Sequence, residues 1–110
     1  MIVRKKENVS VNVRADGVAM TDFFGACCPT DGKVSMGYAV FPPGTVVPSA
    51  SHTGDEYSYI ISGKVKCECG GVENELCAGE ASFIPAGETH SSKNDSDEEA
   101  TLVWMLIEKE

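Results

Sequence analysis

Residues 44–63 read GTVVPSASHTGDEYSYIISG and set a histidine and a glutamate between two glycine-marked turns. His52 and Glu56 are an imidazole and a carboxylate, donors that first-row transition metals accept, and their four-residue offset can bring both to one point. The spacing predicts a hairpin. Ala50 and His52 share a face of one strand, Thr53-Gly54-Asp55 makes the turn, and Glu56, Ser58 and Ile60 share the matching face of the returning strand, with Tyr57, Tyr59 and Ile61 turned the other way.

Strand patterns continue on both sides of this stretch. Upstream, Val9, Val11 and Val13 alternate with polar residues as in a half-buried strand, Asp16-Gly17 marks a turn, and the apolar segment through Phe24 reads as a second strand or an irregular edge. Residues 25–33, GACCPTDGK, read as a loop. Cys27 and Cys28 in that loop take a structural or incidental role, because adjacent side chains rarely chelate one ion and no second cysteine pair stands at zinc-site spacing. Val34, Met36, Tyr38 and Val40 then alternate with smaller residues in a strand that Pro42-Pro43-Gly44 ends, and Met36 and Tyr38 are candidate cavity-lining residues.

Downstream, Val65, Cys67 and Cys69 alternate with charged residues up to Gly70-Gly71, which makes the two cysteines candidate core thiols. Short strands are expected over residues 72–76 and 81–84, separated by a turn at Ala78-Gly79-Glu80 and followed by a Pro85-Ala86-Gly87 turn that precedes His90. An acidic loop over residues 94–99 leads to an apolar strand over residues 100–107, where Trp104 or Met105 is a further candidate for the cavity wall. Many short strands with turn signals between them, and no useful helical periodicity, point to an all-β antiparallel sandwich or barrel. Such a fold converges inward side chains on a cavity shielded from water, and chemistry belongs there.

At 110 residues the chain has the length of one domain, spanning residues 1–110. Its 17 acidic against 9 basic residues, a net charge of -8, argue against nucleic acid and against anionic membrane surfaces, both of which require cationic patches. No apolar run reaches the roughly 18 residues of a membrane span, and the charged residues within 1–6 do not suit a signal peptide. Five cysteines, an odd number, do not form the paired framework of a small secreted domain, so a reducing cytoplasm is expected.

Residues 79–94, GEASFIPAGETHSSKN, supply the second half of the argument: Gly79, Pro85, Gly87, His90 and Asn94 match in full the spacing of the second cupin motif. In the first cupin motif Gly44, His52, Glu56 and Gly63 occupy four of the five positions, and Ala50 stands where the first histidine belongs. The chain thus resembles the cupin superfamily, in the form of its small single-domain members. The resemblance implies a jelly-roll β-barrel (double-stranded β-helix), often a homodimer, holding one divalent metal such as manganese, iron, nickel, copper or zinc. Carried over by position, the metal ligands are His52, Glu56 and His90, and both histidines of the chain are used. Two histidines and one carboxylate can bind a metal and leave positions open for water, substrate or dioxygen. Loss of the ligand at Ala50 lowers affinity, and Ser49 and Ser51 have the wrong strand parity to replace it. Two function classes follow. One is a metal-dependent dioxygenase, isomerase or lyase acting on a small polar metabolite, with no separate general base assignable. The other is a non-catalytic small-molecule-binding or sensor barrel with a weakened or absent metal site.

Overall fold

In the computed structural model, residues 1–25 and 32–108 are described, and Cys27 and Cys28 lie outside them. Among the described residues, ten strands follow one 3-10 turn at Lys6–Asn8: β1 (Val11–Val13), β2 (Ala19–Phe24), β3 (Val34–Phe41), β4 (Val46–Ala50), β5 (Gly54–Ser62), β6 (Lys64–Cys69), β7 (Val72–Cys77), β8 (Ala81–Ile84), β9 (His90–Lys93) and β10 (Ala100–Glu108). They form two antiparallel sheets. One has the order β1-β2-β3-β10-β5-β8 and the other β4-β9-β6-β7. The architecture is the expected all-β jelly-roll barrel, and among the described residues no helix is long and apolar enough to cross a membrane.

The core lies between the two sheets. Val18, Ala39, Phe41, Ile60, Val65, Ala100 and Leu102 form it, with Met20, Val47, Leu76 and Trp104 packed against them. Period-two alternation explains the choice on β5 and β6, since Ile60 points inward between outward Tyr59 and Ile61, and Val65 does so between Lys64 and Lys66. Burying such aliphatic side chains contributes roughly 1.5–3 kcal/mol apiece, so this cluster dominates the stabilisation of the fold.

Three expectations are corrected here. Residues 44–63 are not a hairpin: β4 belongs to one sheet and pairs with β9, while β5 belongs to the other and pairs with β8 and β10. The chain crosses between sheets over residues 51–53, so Gly54 and Asp55 already lie in β5 and His52 lies in the crossing loop rather than on a strand face. β1 is not half-buried, because Val11 and Val13 are 57% and 66% exposed on an edge strand. On β3 the inward face is the one with Gly37, Ala39 and Phe41, so Met36 and Tyr38 are outside the cavity. The physical reason is Trp104, whose ring lies against Gly37, where a β-carbon would overlap it. A small residue is therefore required on the inner side, and the larger residues face out.

Candidate metal centre

Glu56 is fixed by sheet pairing. It stands on the inward side of β5 between Leu106 of β10 and Ile84 of β8, two residues before Ser58 and four before the buried Ile60. His90 opens β9, where it lies opposite Ala50 of β4 and Cys69 of β6. His52 hangs on the crossing loop, and that loop is anchored at two points. The Gly87 N–H donates to the His52 carbonyl at 2.8 Å, and the Thr53 hydroxyl donates to a Glu108 carboxylate oxygen at 2.6 Å. Gly87 has φ +82°, a left-handed conformation that an L side chain rarely adopts, and this turn presents its N–H to the loop carrying His52. The turn is itself pinned, because the Ala86 N–H donates to Asp55 Oδ1 at 2.9 Å. Sequence reasoning read Asp55 as a turn former. It is instead a strand residue that positions the turn before His90.

The three side chains converge as expected. His52 Nε2 lies 3.4 Å from Glu56 Oε1 and His90 Nε2 lies 3.8 Å from Glu56 Oε2, with the imidazole centroids 5.3 Å apart. One ligand atom from each of the three residues falls within 4.8 Å of the others, a spacing that suits a shared ion at bonds of about 2.0–2.2 Å. The donor chemistry also fits. His90 Nδ1 lies 3.0 Å from the Glu88 carbonyl, an acceptor only, so Nδ1 donates to it, and Nε2, on the side of Glu56, is the ring nitrogen placed to bind an ion.

These residues sit at one part of a cavity of about 550 Å³ between the sheets. Ala50 lines it, as do Ser58, Ser82 and Ser92, while Ser49 and Ser51 do not, as their parity requires. Trp104 lines the cavity and Met105 is on the outer face. Most of the remaining wall is apolar, including Phe41, Val47, Leu76, Leu102 and Leu106. At the rim, Arg14 donates two hydrogen bonds to Asp16, at 2.6 and 3.2 Å. Burial raises the Asp16 carboxyl, but the Arg14 hydrogen bonds, the Val18 N–H and the guanidinium charge outweigh it and leave the pKa below the ordinary value. Near the centre the opposite holds for Cys69. Burial, reinforced by the Cys67 thiol and the Glu88 and Glu56 carboxylates, pushes its thiol up to about 11.

Comparison with known proteins agrees with this architecture. The cupin domain model matches residues 37–106. Polyketide synthase CurC of Streptomyces cyaneus is 31% identical over 72 residues, covering 64% of this chain and 47% of that protein, so the chain spans about half the length of this curated relative. A crystal structure of a predicted oxalate decarboxylase from Thermotoga maritima superposes with a TM-score of 0.88 at 21% identity, covering 98% of this chain and 100% of the other. The polyketide cyclase RemF from Streptomyces resistomycificus gives 0.83 at 17% identity, covering 99% of this chain and 80% of that one. These structural likenesses concern the fold. With more than half of its length matched by the family model, and a jelly-roll barrel around a His-His-Glu cluster, the chain belongs to the cupin domain family.

Proposed function

We propose that the protein is a metal-dependent cupin enzyme of the dioxygenase, isomerase or lyase class, in which His52, Glu56 and His90 hold one divalent transition metal. The observation that carries this reading is the meeting of these three side chains, from two separate motifs, at the cavity wall. A metal held there supplies Lewis-acid polarisation of a substrate oxygen, or activation of dioxygen. Glu56 offsets positive charge, and the Glu88 carbonyl keeps the His90 imidazole in one tautomer and orientation. The serine hydroxyls offer hydrogen bonds to a polar substrate group, and the largely apolar wall excludes water from the rest. The lining therefore suits a substrate with an apolar or aromatic body and one oxygen-bearing end, rather than a wholly polar metabolite. The polyketide synthase and cyclase among the similar proteins are in keeping with such a molecule.

The second reading, a binding barrel without turnover, draws on Ala50, which faces the cavity opposite His90 and leaves three protein ligands where the two motifs together provide for four. Metal analysis of the purified protein, repeated on His52→Ala and His90→Ala, decides the first point. About one equivalent in the unaltered protein and loss in both variants is expected; equal, near-zero metal in all three sinks the enzyme reading and leaves the binding barrel.

The homodimer expected from the family has a natural surface. Tyr57, Tyr59, Ile61, Phe83, Met105 and Ile107 form an exposed apolar face on β5, β8 and β10, and a patch of this kind favours association. Free thiols at Cys67, Cys69 and Cys77 suit the reducing cytoplasm in which we place the chain.

A further inference from the structure

β6 turns Cys67 and Cys69 to one side, since residues two apart on a strand share a face. Their Sγ atoms stand 4.0 Å apart, both side chains are half-buried, and both thiols are free. Cys67 lines the cavity. Across the β6–β9 ladder Cys67 faces Ser92 and Cys69 faces His90, two further cavity residues, so the pair stands beside the His-His-Glu cluster without belonging to it.

A disulfide is the obvious product of two neighbouring thiols, and strand geometry opposes it. Residues two apart on an extended strand have α-carbons about 6.7 Å apart. That is the far end of the disulfide range, and parallel side-chain directions keep the β-carbons well beyond the usual separation of about 3.8 Å. Closing the sulfurs from 4.0 Å to a bond of about 2.05 Å would bend β6, which is paired on both sides by β9 and β7. A tetrahedral ion with metal–sulfur bonds of about 2.3 Å, in contrast, holds two sulfurs about 3.8 Å apart. The pair already has that span.

We infer that Cys67 and Cys69 form a bidentate thiolate site for a thiophilic d10 cation of the cadmium or zinc type, separate from the ion at His52, Glu56 and His90. Loading breaks two S–H bonds, forms two metal–sulfur bonds and releases two protons to solvent, with no change in oxidation state. Solvent from the cavity completes the coordination on the Cys67 side.

The test uses cadmium as probe on a chain carrying Cys27→Ser, Cys28→Ser and Cys77→Ser, so that only the two strand thiols remain. The expected result is a thiolate-to-cadmium charge-transfer band saturating at one equivalent, with affinity lowered about a hundredfold by a further Cys67→Ser or Cys69→Ser. Adding His52→Ala, which opens the His-His-Glu centre, should leave the band in place, and this separates the inference from the proposed function. Absence of the band, or equal affinity in the single-serine variants, overturns the inference. If the triple-serine chain does not fold, peptide-resolved alkylation of the unaltered protein replaces it. Joint protection of Cys67 and Cys69 by cadmium supports the site, and protection of neither refutes it.

Discussion

Asn94 shows what a single motif residue does. It is 1% exposed, its Nδ2 donates to the Phe41 and Glu98 carbonyls at 2.9 and 2.8 Å, and its Oδ1 accepts from the Ser96 N–H and hydroxyl at 3.1 and 2.7 Å. All four hydrogen-bonding positions of the amide are used, so the residue is a brace between the end of β3 and the loop before β10. Asn94→Ala would strand these partners, and a loss of about 2–3 kcal/mol in urea denaturation is expected. Position 50 acts differently. Its side chain faces the cavity beside His90, so Ala50→His should tighten metal binding by about tenfold in a competition titration, and unchanged affinity would mean that a histidine there does not reach the ion. At the rim, the lowered pKa of Asp16 carries a pH signature. A carboxyl held below its unfolded value of 3.8 favours the folded state above that pH, and the advantage disappears as pH falls through the lowered value. Urea midpoints of the unaltered protein and Asp16→Asn should therefore differ at neutral pH and converge in strong acid.

At the level of elements, the strands were legible because alternation and proline-glycine turns mark them directly, and the second motif pointed to His90, which the structure brings next to Glu56 and His52. Which strands pair was not legible. β4 and β5 are separated by a turn-like Thr53-Gly54-Asp55, but the same residues serve equally well to carry the chain from one sheet to the other, and local pattern does not distinguish the two. His52, Glu56 and His90 meet all the same, because the barrel supplies convergence across its interior whichever strands pair. Side-chain size misled on β3 for a related reason: inward volume there is filled by Trp104 from β10, a partner far along the chain. Gly37→Ala would push a methyl into that ring and into the Thr21 carbonyl, and a cost of about 1–3 kcal/mol is expected. Trp104 is the sole tryptophan, so a shift in intrinsic emission should accompany the loss.

For the whole molecule, the net charge of -8 keeps copies apart by repulsion, whereas the face of β5, β8 and β10 invites them together. Phe83 is 53% exposed and its ring centroid lies 5.0 Å from that of Tyr57, so a carboxylate placed there would sit in the middle of the apolar face. Light scattering should accordingly report a dimer for the unaltered protein and a monomer for Phe83→Asp, while a monomer in both would remove the dimer from the account. The strand order of the larger sheet has another consequence. β10 lies between β3 and β5 and joins what are otherwise two separate fragments, β1-β2-β3 and β5-β8. On the ribosome, those fragments emerge first with two open edges and wait for residues 100–108 to bridge them. The vulnerable interval in the making of this barrel is therefore the time before residues 100–108 have emerged and paired, when each unsealed edge can accept a foreign strand.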